Sequence, residues 1–272
     1  MCLNLRFFEW MYTRFFVNLF QARTDRPPST VNRPPSTKKT KMTFADQIIA
    51  FNQSLSPDWD IPEPVELLYP YDRPETMAAL TTFYQKYYGD RNSRICLFGI
   101  NPGRFGAAVT GVPFTDPIRL ESVCGIDNPF SKKPELSSVF VYEFIEAFGG
   151  VEAFYPHFCI TSLCPLGFVK DGKNYNYYDD RELEERVTPH IVDHLHTLLD
   201  FPVSNTVALC LGRGKNYEYF RKLNDTHRFF GEVIPLPHPR WVMQYRRKRM
   251  EEFVQEYLTQ LRYAIDAAAS AT

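Results

Sequence analysis

The sequence predicts an α/β protein built on a short, four-stranded, mainly parallel sheet that helices cover on both faces. Three observations support this fold class. Four short apolar runs lie between residues 95 and 234, stretches with a helical apolar period separate them, and glycine or proline ends most of these segments. Strands that alternate with helices pair in parallel and bury both faces of their sheet, so the order of the segments predicts the layers.

The predicted strands are the apolar runs at residues 95–98, 158–163, 207–211 and 232–234. Runs of this length that are bounded by turn residues are typical of buried strands. Cys96 and Cys210 lie inside two of them, as small apolar core residues do.

The predicted helices occupy the segments between the strands. Thr43 or Asp46 can cap a first helix that runs to residue 55, and Gly89 ends a second helix whose first turn holds Pro74. The other helices are expected at residues 136–148, 180–199, 216–223 and 245–264. Asp193, His194 and His196 lie on one of them without the spacing of a metalloprotease motif, so we expect surface histidines.

The composition is that of an ordinary globular protein, with 44% hydrophobic and 23% charged residues among 272. The net charge of −1 is unevenly spread: residues 1–41 carry +6 and the remainder carries −7. An acidic body argues against a protein that coats nucleic acid broadly, but it is compatible with a narrow basic groove.

The first 41 residues differ from the rest of the chain. Residues 1–20 are rich in aromatic residues but contain charges, so they predict neither a membrane span nor a signal-peptide core. The repeat RPPST at 26–30 and 33–37 predicts disorder. We therefore expect a disordered basic extension over 1–41, one domain over 42–265 and a disordered tail over 266–272. The extension is a targeting or DNA-tethering tail, a dispensable segment, or the result of a mis-assigned start before Met42; we favour the last two.

The six cysteines form no CxxC pair and no Cys/His cluster with zinc spacing. This pattern predicts reduced thiols and neither a metal nor a cofactor.

A glycine-rich loop follows the first predicted strand, in the segment RICLFGINPGRFGAAVTGVPFTDP at 94–117. Asn101 precedes a proline, which favours extended backbone, and the end of a central strand is where α/β sheets bind ligands. No Lys-Ser/Thr pair follows the glycines, so a phosphate loop is not predicted. The loop carries one amide and two aromatic side chains, which suit a flat, weakly polar ligand.

The segment GINPGRFGAAVTGVPF closely resembles the first active-site motif of the uracil-DNA glycosylase superfamily, specifically of its single-strand-selective monofunctional (SMUG-type) branch. The second motif of that family begins His-Pro after a late strand, and His238-Pro239-Arg240 follow residues 233–237 here. The resemblance covers about residues 44–262. It implies a three-layer α/β/α sandwich that acts on single- or double-stranded DNA. A cytoplasmic monomer is the expected form.

The resemblance implies a monofunctional glycosylase that removes uracil or a related deaminated base and leaves an abasic site in base excision repair. Such a reaction needs a donor for the base oxygen that becomes anionic, a positioned water, and a pocket for a base turned out of the stack. His238 matches the donor and Asn101 matches the residue that orients water. No lysine occupies a matched catalytic position, so a Schiff base is not expected. The alternative for His238 is a structural histidine that only ends a strand, and the alternative for Asn101 is a structural asparagine that only forms a turn.

The base pocket implied by the resemblance includes Phe114, which matches the aromatic residue that stacks on the base, although a loop-end Phe is often simply core. Gly103 and Gly106 would let backbone N–H groups approach the base edge. The family's SMUG-type members carry Asn before Cys-Pro-Leu, where this chain has Ser162. One hydroxyl replaces an amide, so we expect looser selectivity that could admit xanthine or hypoxanthine. The full set is Gly99, Ile100, Gly103, Phe105, Gly106, Phe114 and Ser162.

The second motif diverges from the family's usual His-Pro-Ser-Pro-Arg-Asn and reads HPRWVMQY from His238. In the family this loop wedges into the duplex, and Arg240, Trp241 and Met243 are bulky enough to do so. Packing of Trp241 and Met243 under the following helix is an equal alternative. The basic run that follows is expected to contact phosphates through Arg246, Arg247 and Lys248.

Two other functions remain open. One is a relative that binds damaged or single-stranded DNA but turns over poorly, and the other is a hydrolase of free nucleosides or nucleotides. The segment Gly212-Arg213-Gly214-Lys215 lacks the phosphate-loop spacing, and a strand-to-helix turn explains it better.

Overall fold

A parallel four-stranded sheet forms the centre of the protein in the computed structural model, which describes residues 42–271. Its strands lie in the order β3 (Phe158–Ser162), β2 (Arg94–Gly99), β6 (Val203–Leu211) and β7 (Glu232–Leu236). All three neighbouring pairs are parallel. The predicted fold class is therefore confirmed, and the predictions for residues 1–41 lie outside the described residues.

A second, antiparallel sheet was not predicted. It contains β1 (Glu66–Leu68), β4 (Gly167–Lys170) and β5 (Lys173–Tyr175), in the order β1-β4-β5. Strands of three or four residues are too short to show an apolar period. However, Asp171 and Gly172 form the two-residue turn between β4 and β5, with φ of 50° and 67°. The Asp-Gly pair is a strong hairpin signal, so the sequence did contain this information.

Six helices correspond to the predicted ones: α1 (Phe44–Ser54), α2 (Pro74–Tyr88), α5 (Leu136–Phe148), α7 (Arg181–Leu199), α8 (Lys215–His227) and α10 (Met250–Ser270). The first is capped as expected, because the Thr43 side chain accepts from the Asp46 N–H and the Asp46 carboxylate accepts from the Thr43 N–H. Four short helices were not predicted: α3 (Ala107–Thr110), α4 (Pro117–Ser122), α6 (Val151–Phe154) and α9 (Pro239–Tyr245).

The C-terminal region differs from the prediction at both ends. The expected helix over 245–264 is divided: α9 ends at Tyr245, Arg247–Arg249 form a 3₁₀ turn, and α10 follows. The expected disordered tail from 266 is wrong up to Ser270, where α10 ends. Alanine has the highest helix propensity, and Ala267 and Ala268 pack against the core, so both factors extend the helix.

The five cysteines in the described part of the chain are buried and form no disulfide. Among residues 42–271 no group of three His, Cys, Asp or Glu side chains is arranged to hold a metal ion. None of the helices in that range is both long and apolar enough to cross a membrane.

Candidate active site

The two sequence motifs meet at the carboxyl end of the parallel sheet. Gly99 is the last residue of β2 and is the register partner of Ser162, the last residue of β3. His238 lies two residues beyond the end of β7, and its ring centroid is 6.3 Å from that of Phe114. The structure thus brings Phe114, Ser162 and His238 together at the edge where parallel sheets bind ligands.

The ring of Phe114 lies directly over the end of β2. A Cβ atom on Gly99 would lie 2.6 Å from Cε2 of Phe114, closer than real Cβ atoms approach other atoms, and 3.5 Å from Oγ of Ser162. Phe114 itself has a φ of 54°, a left-handed conformation that is uncommon for a residue with a side chain. The glycine and the unusual backbone together place an aromatic ring beside the Ser162 hydroxyl.

His238 is a neutral hydrogen-bond donor at the start of α9. Its Nδ1 accepts from the backbone N–H of Arg240 at 3.2 Å, so the proton of the neutral ring is on Nε2. Burial, together with the positive charge of Arg240, lowers the pKa of His238 to about 4. At neutral pH the ring therefore offers an Nε2–H to the groove that it lines.

The side-chain amide of Asn101 is fixed by two backbone groups, which we call the amide clamp: the Tyr175 carbonyl and the Tyr177 N–H. Nδ2 of Asn101 donates to the Tyr175 carbonyl at 3.2 Å, and Oδ1 accepts from the Tyr177 N–H at 3.3 Å. The clamp defines which end of the amide is oxygen. Since an amide oxygen has two lone pairs, Oδ1 keeps one for a water molecule.

Ser162 is buried, and its hydroxyl has no hydrogen-bond partner within residues 42–271, so it can bond to a ligand. Its backbone carbonyl, on the edge strand of the sheet, accepts from Nε2 of His194 at 3.1 Å. The prediction that His194 lies on the surface is wrong, because Leu183, Val187, Ile191 and His194 share the buried face of α7. Burial lowers the pKa of His194 to about 4, so the ring stays neutral.

Glu135 is a site residue that the sequence analysis missed. Its carboxyl group lies against the glycine loop: a Cβ on Gly106 would overlap its Oε2, and one on Gly103 would lie 3.2 Å from its Oε1. Burial, and then the negative charge of Asp116, raises the pKa of Glu135 to about 7 against the opposing charge of Arg240. The Glu135 carboxyl therefore explains why residues 103 and 106 are glycines: it occupies the space that a side chain at either position would need. The Gly106 N–H donates to the Gly103 carbonyl, and the approach of loop N–H groups to a base edge stays a prediction.

A groove of about 600 Å³ opens in front of the site. Ile100 and His238 line it. Phe105 lines it as well, with the Arg104 guanidinium 4.4 Å from its ring centroid. The basic lining residues are Arg104, Lys173 and Arg240.

A neighbouring cavity of about 280 Å³ lies between His238 and the turn after β6. Gly212, Arg213, Gly214 and Lys215 line it, in agreement with the predicted strand-to-helix turn. Arg213 forms an ion pair with Glu256. The cavity places two cationic side chains beside the proposed donor.

Helix α9 presents one bulky side chain to solvent and buries another. Trp241 is 39% exposed, whereas Met243 is 6% exposed and packs in the core. The prediction that Met243 faces DNA is therefore wrong, because residues 241 and 243 lie on different faces of the helix. The Arg246 guanidinium lies 4.9 Å from the Trp241 ring centroid. Arg240, Arg246, Arg247 and Lys248 are exposed.

Comparisons with known proteins agree with this geometry. The profile of the uracil DNA glycosylase superfamily matches residues 86–262. The mouse protein named single-strand selective monofunctional uracil DNA glycosylase is 28% identical over 174 residues, which cover 56% of this chain and 60% of that protein. The match therefore spans less than two thirds of the mouse protein.

A crystal structure of wild-type SMUG2 from Pedobacter heparinus resembles the whole described fold. The two chains superpose with a TM-score of 0.80 and are 40% identical, and the match covers 83% of this chain and 99% of that one.

Proposed function

Because the chain belongs to the uracil DNA glycosylase superfamily, in its SMUG-type branch, we propose that it is a monofunctional DNA glycosylase. It hydrolyses the N-glycosidic bond of uracil or a related deaminated base in DNA and leaves an abasic site for base excision repair. One observation carries the proposal: a neutral His238, whose ring lies 6.3 Å from that of Phe114, and a clamped Asn101 both follow strands at the same end of the sheet.

The first step is capture of a base that has been turned out of the stack. Phe114 offers its ring for stacking, and the bond between base and sugar then breaks with negative charge on the departing base. The Nε2–H of His238 donates to the base oxygen on which that charge develops. A neutral donor in a partly buried site stabilises such an anion without first being ionised itself.

The second step is attack of water on the sugar carbon that has lost the base. The free lone pair on Oδ1 of Asn101 holds this water, and the amide clamp fixes its direction. An amide is not a strong base, which suffices because the sugar carbon already carries most of its positive charge. The water forms the new C–O bond and releases its proton to solvent, and the base takes up a proton after it leaves.

Base selectivity depends on Ser162 in this proposal. A hydroxyl donates one hydrogen bond and accepts others, so it pairs with a carbonyl or with an N–H on the base edge. An amide presents a donor and an acceptor side by side and so fits the edge of one particular base, whereas a hydroxyl presents no such pair. We therefore infer that xanthine and hypoxanthine are substrates beside uracil.

The DNA interface combines a wedge and two cationic regions. Trp241 and Arg240 project from α9 and would fill the space that the base has left. Arg246, Arg247 and Lys248 lie next to this wedge, and Arg213 and Lys215 line the cavity on the other side of His238. Since phosphate contacts release bound cations, affinity should fall steeply with salt.

A single-turnover gel assay tests the proposal. Labelled oligonucleotides carry one uracil, xanthine or hypoxanthine, single-stranded and duplexed, and excess protein is wild type, Asn101→Ala or His238→Ala. We expect wild type to cut, and both variants to lose about two to four orders of magnitude in rate. Asn205→Ala and His227→Ala change the same residue types at exposed positions away from the groove and serve as controls. Uncut DNA with all proteins over hours would refute the catalytic role.

The two alternative functions give different results in the same experiment. Tight binding of the oligonucleotides without excision would identify a binding protein. Release of base from deoxyuridine that is insensitive to salt would identify a hydrolase of free nucleosides. A cytoplasmic location and a monomeric state remain predictions.

A further inference from the structure

A buried chain of hydrogen bonds lies behind Asn101 and is not used by the proposed chemistry. It consists of two side chains, Tyr177 and Asn216, which are both buried. Neither lies in the sequence motifs that identify the site. Tyr177 follows β5 and Asn216 lies in the first turn of α8, so they come from separate parts of the chain.

The chain of hydrogen bonds begins at Asn101 in the glycine-rich loop and ends at Gly99, the last residue of β2. The backbone N–H of Tyr177 donates to Oδ1 of Asn101, and the Tyr177 hydroxyl donates to Oδ1 of Asn216 at 2.7 Å. Nδ2 of Asn216 donates to the carbonyl of Gly99 at 3.4 Å and contacts Sγ of Cys210 at the same distance. Asn101 is thereby connected, through two buried side chains, to the strand end two residues before it.

This arrangement fixes the position of the amide clamp. Without the hydroxyl bond, no side-chain hydrogen bond would hold Tyr177, and hence its N–H, in place relative to β2. Burial raises the pKa of the Tyr177 hydroxyl well above its ordinary value, so the group remains a donor at any working pH. Buried polar groups of this kind hold one geometry, because a buried polar group without a hydrogen-bond partner costs more free energy than an exposed one.

We propose that Tyr177 and Asn216 are positioning residues for Asn101: they set the direction in which its oxygen holds the attacking water. The inference rests on the proposed glycosylase activity. Both side chains are buried and hydrogen-bonded to each other. Their effect reaches the reaction through the Tyr177 N–H, one half of the amide clamp.

Tyr177→Phe tests the inference, because it removes one hydroxyl and keeps the ring. We expect the single-turnover excision rate to fall about 10- to 100-fold, as small misplacements of a catalytic group do. The dissociation constant for DNA should stay within about twofold of wild type, since no DNA contact changes.

Tyr219→Phe is the matched control. The Tyr219 ring lies 4.8 Å from that of Tyr177, but its hydroxyl bonds to Thr188 outside the chain of hydrogen bonds. It should leave the excision rate within about twofold of wild type. Asn216→Ala removes the other member and should lower the rate to a similar degree, which covers the case in which Tyr177→Phe does not fold.

A spectroscopic measurement separates positioning from general loosening. The side-chain amide signal of Asn101, assigned by its loss in Asn101→Ala, should shift in Tyr177→Phe and not in Tyr219→Phe. An unmoved signal, an unchanged rate, or a loss of DNA binding equal to the loss of rate would overturn the inference. If wild type itself removes no base, the glycosylase proposal fails. If wild type is active and Tyr177→Phe excises the base at the same rate, only the positioning role is refuted.

Discussion

The amide clamp predicts that aspartate cannot replace Asn101. In Asn101→Asp a carboxylate oxygen would stand 3.2 Å from the Tyr175 carbonyl, where Nδ2 now donates. The lost hydrogen bond and the new repulsion cost about 1 to 3 kcal/mol. Protonation restores a donor, so this cost should appear as a carboxyl pKa raised above its ordinary value.

The sign of the effect on stability follows from that shift. A carboxyl whose pKa is higher in the folded state stabilises the fold below its unfolded pKa, and the stabilisation is lost as pH rises through the folded value. Asn101→Asp should therefore melt near wild type at pH 4 and several degrees lower at pH 8. The excision rate at pH 8 should fall by about 10- to 100-fold.

Thermal melts and single-turnover rates from pH 4 to pH 8 measure both effects. Asn174→Asp is the matched control, because Oδ1 of Asn174 accepts from the Arg104 N–H at 3.1 Å and a carboxylate keeps that bond. Its melting temperature should not show this dependence on pH. A melting temperature for Asn101→Asp equal to wild type at pH 8, or lowered equally at pH 4 and pH 8, would refute the reasoning.

Three further predictions concern other groups at the site. The ¹⁵N shifts of His238 should show the neutral Nε2–H tautomer from pH 8 to about 5, because its pKa is lowered to about 4; titration near pH 6 would contradict this. Glu135→Gln should leave the melting temperature unchanged below about pH 4.5 and raise it at and above pH 7, where wild type holds a buried charge; a pH-independent difference would count against the raised pKa of about 7. Gly99→Ala should displace the Phe114 ring, cost about 1 to 3 kcal/mol and slow excision, and an unchanged single-turnover rate would contradict this.

The sequence was sufficient for the central sheet, because β2, β3 and the second half of β6 carry buried apolar runs and the short β7 follows a turn-bounded helix. It was also sufficient to place Asn101 and His238 in motifs at the ends of two strands. It did not give the hairpin of β4 and β5, whose strands are too short to show a period, although Asp171-Gly172 marks its turn. That hairpin leads into the amide clamp, so the contacts of Asn101 with Tyr175 and Tyr177 were missed together with the hairpin.

Two errors had a common cause. Met243 and His194 were read by residue type, as a bulky wedge and as a surface histidine, and both are buried. Helical periodicity would have corrected His194, since Leu183, Val187 and Ile191 precede it on the same face. Glu135 is different in kind: only the folded loop shows which carboxyl covers Gly103 and Gly106, because the contact joins residues about 30 positions apart.

The hydrogen bond that begins α9 bears on how this loop can vary. The donor to Nδ1 of His238 is the backbone N–H of residue 240, which every amino acid except proline provides. The side chain at 240 can therefore change from the family's usual serine to arginine without removing the hydrogen bond that fixes the tautomer of the histidine, and the arginine charge lowers the pKa of that histidine further. The side chains of this turn that face DNA can therefore change while His238 keeps its backbone hydrogen bond. Changes in DNA contacts at this turn then leave the donor of the reaction in place.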